Sequence, residues 1–247
     1  MFTAYYNVWI ILQKELAAFF SSLMAYVIVG FFLLLMGLLV WVLPGTNVLE
    51  GGYADLGPFF HFGPYVFIFL VPAITMPAVA EERRGGTLEV LLTAPVSVVQ
   101  IVLGKYLASV VVALLMLLLT GGYYFSIYHL SSPPGNVDTA AVLGAYLGLL
   151  LLAAVFAAGG VLTSALTERQ LVAFLLGVLL CFFLYQGFAV WAALQSWQGY
   201  SLWLVRLSAH HHYEVLSRGV IDSRALLYFG SVVGLLLTAA GLAVPPR

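Results

Sequence analysis

The chain has 247 residues, of which 63% are hydrophobic and 8% are charged, and its formal net charge is −1. In soluble domains about a quarter of the residues are charged, so this composition excludes an ordinary soluble protein. The near-neutral charge also gives no sign of nucleic-acid binding. The charges are clustered, and the uncharged intervals between them have the roughly 20 residues that a helix needs to cross a bilayer.

The first 22 residues predict a helix that lies on the membrane surface. The apolar run over residues 5–22 is interrupted by three polar residues at positions 13–15, and such a run suits the interface rather than the hydrocarbon core. The first membrane span is predicted over residues 23–43, where a Pro-Gly turn signal ends it.

Five more spans are predicted over residues 63–80, 106–128, 140–162, 171–194 and 225–244. The second of the six spans holds Pro64, Pro72 and Pro77, and prolines inside a membrane helix kink it. None of the spans, as predicted, contains Asp, Glu, Lys or Arg. This argues against an ion-coupled carrier, because such carriers place ionisable groups near the midplane. Active transport would therefore draw its energy from another subunit.

No ATP-binding motif is present in the sequence. Gly104-Lys105 resembles the end of a phosphate loop, but Val99 stands where a glycine is required and Tyr106 where a Ser or Thr is required. The HExxH and GxSxG signatures of proteases and esterases are absent as well. The sequence therefore predicts a non-catalytic membrane subunit that binds no cofactor or metal itself.

The distribution of basic residues predicts the orientation of the chain. With the N-terminus inside, six basic residues are cytoplasmic, namely Lys14, Arg83, Arg84, Lys105, Arg169 and Arg247. Three more lie in the last outer segment, namely Arg206, Arg218 and Arg224. Because cytoplasmic loops are enriched in Lys and Arg, this ratio favours six spans with both termini in the cytoplasm.

Residues 81–97, with the sequence EERRGGTLEVLLTAPVS, form the most informative stretch. The Gly-Gly pair breaks the helix that leaves the membrane, Thr87 can cap a new short helix, and Glu89 complements its positive end. Leu88, Leu91 and Leu92 have the i, i+3, i+4 spacing of one apolar face. Two interpretations remain open: a coupling helix that docks into a soluble motor subunit, or a surface helix that rests on lipid.

Residues 195–223 are mixed in character, and their apolar stretch is too short to span the bilayer. We expect an outer amphipathic helix or a re-entrant segment. His210, His211 and His212 suggest a metal site, but consecutive residues on a helix point about 100° apart and cannot all reach one ion. A polar interfacial turn is the favoured interpretation.

In the fourth span, Ala153, Ala157 and Gly160 permit close helix approach. The sequence leaves open whether they serve packing within the subunit or a dimer seam.

Several stretches together carry a family resemblance. The segment EERRGGTLEVLLTAPVSVVQIVLGKYLA resembles the coupling-helix region of type-2 ABC transporter permeases, and KELAAFFSS resembles their beginning. The resemblance is closer still to the gliding-motility-associated permease subunits of Bacteroidetes. The shared stretches are NVLEGGYADLGPFF, PAITMPAVAEERRGGTLE, SPPGNVDT, LTERQLVAF and RGVIDSR.

The resemblance implies a single type-2 permease domain over residues 1–247, all-α and integral to the bacterial inner membrane. It implies a second permease subunit, expected to be a different chain, and two copies of an ABC ATP-binding subunit that bind the ATP and Mg²⁺. The residues expected to contact the ATP-binding subunit are Glu81, Glu82, Arg83, Arg84, Thr87, Leu88, Glu89, Leu91 and Leu92. The alternatives are a drug or lipid exporter and a membrane scaffold that transports nothing.

Overall fold

The computed structural model describes residues 2–48, 55–93, 96–133, 135–194 and 205–244. Over these residues the chain is helical with turns, and six of its helical segments are long and apolar enough to cross a membrane. They cover residues 23–41, 57–84, 98–130, 139–166, 170–192 and 223–243. The prediction of an all-α protein with six spans is confirmed.

Helix α1 (Phe2–Ser21) precedes the first span, α2 (Leu23–Trp41). The second span consists of α3 (Gly57–Thr75) and α4 (Pro77–Arg84), and the short helix α5 (Thr87–Thr93) follows it. The third span consists of α6 (Val98–Leu119) and α7 (Gly121–Leu130), and the fourth is α8 (Thr139–Leu166). The fifth contains α9 (Gln170–Phe182), a π-helical turn (Phe183–Gly187) and α10 (Phe188–Leu194). Helix α11 (Ala209–Ser217) and the sixth span, α12 (Ser223–Ala243), complete the described chain.

The third span begins eight residues earlier than the sequence predicted. Ser97 forms a capping box, in which its Oγ accepts a hydrogen bond from the Gln100 amide at 3.3 Å and its own amide donates to Gln100 Oε1 at 3.0 Å. This reciprocal pair satisfies two amides at the start of α6 and fixes that start. Lys105 therefore lies inside a membrane-spanning helix, and the prediction that no span contains a charged residue was wrong.

A break in the second span separates α3 from α4 at Met76, where Pro77 supplies no amide hydrogen. The neighbouring helix α8 compensates through one side chain. The hydroxyl of Ser164 donates to the Met76 carbonyl at 2.9 Å and accepts from the amides of Val79 and Ala80 at 3.0 Å each. Backbone groups released by proline in a membrane helix must find such partners, because lipid offers none.

Helix α8 lies at the centre and packs against α3, α4, α6, α9, α11 and α12. Ala153, Ala157 and Gly160 are fully or almost fully buried within this arrangement. A Cβ atom at Gly160 would overlap the hydroxyl of Thr75 on α3. These small residues of the fourth span therefore serve close packing within the subunit, the first of the two alternatives raised above.

Helix α11 lies across the start of α8, at the end opposite to α5. A Cβ at Gly144 would come within 2.5 Å of the Leu216 carbonyl oxygen, so the two helices are in direct backbone contact. The hydroxyl of Tyr213 donates to the Phe60 carbonyl at 2.7 Å and attaches α11 to α3. The mixed segment thus contains a short helix that does not span, as expected. Its portion over residues 195–204 lies outside the described residues.

Candidate functional site

Four charged side chains meet where α1, α4 and α6 converge, and we call Lys14, Glu15, Glu82 and Lys105 the charged cluster. Lys105 is at its centre, and only 1% of its side chain is exposed. Its Nζ lies 2.8 Å from Glu15 Oε1 and 2.9 Å from Glu82 Oε1. A buried ammonium group is costly unless it is paired in this way, so two carboxylates from two other helices hold it in place.

Lys14 forms the outer edge of the charged cluster. Its Nζ lies 3.4 Å from Glu82 Oε1 and 3.9 Å from Glu15 Oε1, and 60% of its side chain is exposed. Two cations and two anions make the cluster neutral in total. Exposed pairs contribute little to stability, so the buried Lys105 contacts dominate the energetics of the cluster.

Glu82 uses one of its two carboxylate oxygens for both lysines. The second oxygen, Oε2, is buried and has no hydrogen-bond partner within the described part of the chain. An ionised carboxylate with an unsatisfied buried oxygen bears a desolvation cost. The contact with Lys105 offsets that cost, so the burial of the Glu82 carboxylate depends on Lys105.

Gly104 explains how α1 comes close enough to reach Lys105. A Cβ at this position would lie 2.6 Å from Cγ2 of Ile11 on α1, which is too close for any larger residue without a shift. The Asn7 amide also donates to Gln100 Oε1 at 3.4 Å, one turn away on α6. Helix α1 is therefore packed onto the third span, in addition to any contact that it makes with the membrane surface.

The other charged residues of α4 have separate positions. Arg83 is half-buried, and its guanidinium donates to the Ala243 carbonyl at the end of α12 at 3.3 Å. Glu81 and Arg84 are exposed. The four charged residues that were predicted to contact the partner together are thus divided into two groups. Glu82 and Arg83 make contacts within the chain, whereas Glu81 and Arg84 remain accessible.

A two-glycine turn joins α4 to α5. Gly86 has a φ of +68°, the left-handed conformation that glycine adopts without strain. Thr87 is already the first helical residue, and its hydroxyl donates to the Glu82 carbonyl at 3.3 Å. The sequence predicted that Thr87 caps α5, but its hydroxyl instead binds the preceding helix, since the turn brings that carbonyl within reach.

The apolar face predicted on α5 is used partly within the chain. Leu88 is buried in the hydrophobic core with 4% exposure, and Leu91 is half-buried and packs against that core. The side chain of Leu92 lies outside the described residues. Glu89, in contrast, is exposed. At the positions of α5 whose side chains are described, Leu88 therefore faces inward and Glu89 faces outward.

Sequence reasoning did not include Lys14, Glu15 and Lys105 among the site residues. Lys14 and Glu15 lie far from residues 81–97 in the sequence, and Lys105 was assigned to a span boundary. The sequence did contain a signal. Two acidic and two basic residues lie near the ends of predicted helices, and such charges neutralise one another when those ends meet in the fold.

The three consecutive histidines have different surroundings. His210 Nδ1 is 3.0 Å from the Tyr185 hydroxyl, whereas His212 Nε2 is 2.9 Å from the Arg206 carbonyl oxygen. The His212 ring stacks on Tyr228 with centroids 4.1 Å apart. Burial lowers the pKa of His212, and the hydrogen bond to the Arg206 carbonyl opposes this shift. Within the described chain, no three His, Cys, Asp or Glu side chains are arranged to hold a metal ion.

Six long apolar helices, with a short helix after the second span, define a multi-pass membrane protein. Residues 42–197 match the family model described as ABC-2 family transporter protein. Since this match covers more than half of the chain, the protein belongs to the ABC-2 transporter family. It is a transmembrane permease component of an ABC transporter, and family membership implies an ABC ATP-binding partner. No curated protein matches the sequence.

Proposed function

We propose that the chain transmits the force of ATP hydrolysis in a partner subunit to its membrane helices through α5 and the charged cluster. One observation carries the proposal: the buried Lys105 is paired with a carboxylate on α4 and with another on α1. Three helices thus meet at one ammonium group directly behind the two-glycine turn that leads to α5. Displacement of α5 would be transferred to all three.

The contacts of α5 with the chain support this assignment. Thr87 is hydrogen-bonded to the Glu82 carbonyl, so the beginning of α5 is attached to the residue that binds Lys105. Leu88 inserts into the core and provides an apolar attachment one residue later. A force on α5 would therefore reach the charged cluster through a polar contact and the core through an apolar contact.

The accessible residues define the surface that a partner would contact. Glu81, Arg84 and Glu89 are exposed around the two-glycine turn, whereas Leu88 is buried. We therefore assign the contact with the ATP-binding subunit to these three charged residues, with Leu91 at the edge. Leu88, Glu82 and Arg83 act inside the permease as attachments. The end that carries α5 would then face the cytoplasm, in agreement with the distribution of basic residues.

The finer assignment follows the sequence resemblance to gliding-motility-associated permeases. We propose an inner-membrane complex of this chain, a different permease chain and two ATP-binding subunits that carry ATP and Mg²⁺. The resemblance over residues 47–60 and 132–139 supports this version, because these segments lie apart from the region expected to couple to the ATPase. A drug or lipid exporter, or a membrane scaffold, would use the same fold with another cargo or with none.

The test is affinity purification of the complex from its native membrane in mild detergent, with each subunit identified. We expect an ATP-binding subunit and a second permease to copurify with the wild-type chain. Replacing Glu89→Lys should remove the ATP-binding subunit, because it reverses an exposed charge on α5. Glu168→Lys is the matched control, since Glu168 is an exposed acidic residue in the α8–α9 connection, at the same end as α5.

Retention of the ATP-binding subunit by the Glu89→Lys variant would contradict the proposed docking surface. A second measurement compares the ATPase rate of the complex before and after α4 is cross-linked to α6. An unchanged rate would contradict coupling itself and favour the scaffold interpretation. Recovery of an operon-encoded second permease without any connection to motility would favour the exporter.

A further inference from the structure

A cavity of about 430 Å³ lies at the end of the molecule opposite to α5. It is bounded by the first turns of α3 and α8, by the π-helical turn and by α11. Small-molecule sites in proteins have volumes of roughly 300–1,000 Å³ and combine apolar walls with a few convergent polar groups. This cavity has both the size and the mixed lining, and neither α5 nor the charged cluster belongs to it.

Aromatic rings form the deep part of the cavity. Tyr185 is 1% exposed, and its ring makes an edge contact with Tyr65 at a centroid distance of 5.6 Å. Phe60 and Tyr213 are also buried and complete the wall. The rings are held in place, because the hydroxyl groups of Tyr185 and Tyr213 are bonded to His210 and to the Phe60 carbonyl respectively.

Carboxylates line the cavity together with the imidazole rings of His61 and His210. Asp55, Asp138 and Glu214 contribute to the lining, and the described residues around it include no Lys or Arg. Asp138 Oδ1 accepts a hydrogen bond from the Ala141 amide, and Glu214 lies 3.4 Å from His210 Nε2. Each carboxylate offers about four acceptor positions, so these contacts leave capacity for a ligand. The field in the cavity favours cations and repels anions.

The π-helical turn provides an observation that is independent of the acidic residues. It interrupts the helix of the fifth span, and Tyr185, which belongs to the turn, lines the cavity. The Tyr185 carbonyl accepts from the Ser208 hydroxyl, and the Tyr65 hydroxyl donates to Gln186 Oε1 at 3.4 Å. Single π-turns inside helices occur frequently at functional sites. Here the turn concentrates polar groups of a membrane span at the base of one cavity.

We propose that this cavity binds a small organic cation, an amine or a quaternary ammonium group. The aromatic wall would contact the cation through the faces of its rings, and the carboxylates would neutralise its charge. A metal ion fits less well, because the His, Asp and Glu side chains of the described chain do not converge at ligating distances. The cation would be a free solute or the ammonium headgroup of a lipid, since the cavity lies beside the ends of several apolar helices long enough to span a membrane.

The test is isothermal titration of the full-length chain, purified in its complex, with choline and with its uncharged isostere 3,3-dimethyl-1-butanol. We expect saturable choline binding that is weakened by salt, and no saturable binding of the isostere. Glu214→Gln and Asp55→Asn should each raise the Kd for choline about tenfold, which corresponds to about 1.4 kcal/mol. Glu168→Gln is the control, because it removes an exposed carboxylate at the opposite end.

Equal binding of the isostere, absence of saturable choline binding, or an unchanged Kd in both cavity variants would overturn the proposal. Repeating the titration in nanodiscs distinguishes the two sources. Phosphatidylcholine in the disc should compete with free choline if a lipid headgroup is the ligand. Discs of phosphatidylglycerol and phosphatidylcholine should give the same Kd if a free solute is the ligand. The titration measures no ATPase activity, so its result is separate from the fate of the coupling proposal.

Discussion

The Nζ atom of Lys105 lies 2.9 Å from Oε1 of Glu82, so the third span is bound to the end of the second by a buried ion pair. The same ammonium group reaches Glu15 on the first helix at 2.8 Å. This arrangement unites segments that are 90 and 23 residues apart in the sequence, at the turn that leads to α5.

Replacing Lys105→Met should destabilise the chain strongly. The substitution leaves two largely buried carboxylates without their cation, and removing one partner of a buried pair costs about 3–5 kcal/mol. Thermal unfolding in detergent, followed by a thiol-reactive or intrinsic fluorescence probe, would measure the loss. Lys14→Met is the matched control and should change stability by less than about 1 kcal/mol, because Lys14 is 60% exposed. Equal effects of the two variants would contradict the dominant role of Lys105.

A double replacement should recover part of this loss. When Glu82→Leu is combined with Lys105→Leu, the charges between α4 and α6 are both removed, and Glu15 retains only Lys14 at 3.9 Å within the charged cluster. Apolar pairs often replace buried ion pairs at little cost. We expect the double variant to unfold at a higher temperature than the Lys105→Leu variant, which leaves both Glu82 and Glu15 without this cation. A double-mutant cycle of unfolding temperatures measures this coupling. Additive losses would show that the two residues act independently.

Ser164→Ala should destabilise the break in the second span. The change removes the partner of three backbone groups, at Met76, Val79 and Ala80, and each unsatisfied buried group costs about 1–3 kcal/mol. Ser231→Ala is a suitable control, since that exposed hydroxyl bonds, among the described residues, to the Tyr228 carbonyl of its own helix alone. Unfolding temperatures of the two variants provide the comparison, and similar values would contradict a bridging role for Ser164.

Gly160→Ala should disturb the contact between α3 and α8. The added methyl group would overlap the Thr75 hydroxyl, and overpacking of this kind costs about 1–3 kcal/mol. Gly230→Ala should be neutral or slightly stabilising, because no atom of another described element lies within 4 Å of its Cβ position and alanine favours helices. Yields of monodisperse protein and unfolding temperatures would reveal the difference. A neutral result at Gly160 would mean that the helices separate easily at this point.

Acidification should destabilise the region around α11 through His212. Its pKa is lowered in the folded chain, so the unfolded chain binds the proton more readily. The contribution of neutral His212 is complete above the unfolded pKa of about 6.5 and is lost as the pH falls through the lowered value. The drop in unfolding temperature between pH 7.5 and pH 5.5 should be smaller for His212→Phe, which keeps the ring stacked on Tyr228. An equal drop in both proteins would exclude this histidine as the cause.

The sequence predicted the number and order of the spans because hydropathy over about 20 residues is sufficient to locate them. It did not predict the start of α6, where the capping box of Ser97 and Gln100 extends the helix beyond the apolar run and includes Lys105. Hydropathy treats a charged residue as a boundary, whereas a paired charge can lie inside a helix.

The partners of Lys105 could not be predicted, since Glu15 is 90 residues away and only the packing of α1 on Gly104 brings it close. The cavity was equally inaccessible to sequence reasoning. It depends on the π-helical turn that places Tyr185, and no residue pattern in that apolar stretch marks the turn. The burial of Leu88 was not predicted for a similar reason. Helical spacing identifies an apolar face but does not show whether that face packs against the chain itself or against a partner.

The second span can bend most easily at one point, the break that the hydroxyl of Ser164 bridges. An uninterrupted helix resists bending through every hydrogen bond along its length, but here the connection across Met76 and Pro77 depends on one side chain of α8. A torque applied to α4 would rotate that segment about this pivot before it deformed α3. The amplitude of such a rotation would be limited by how far one hydroxyl can shift while it still serves all three backbone groups.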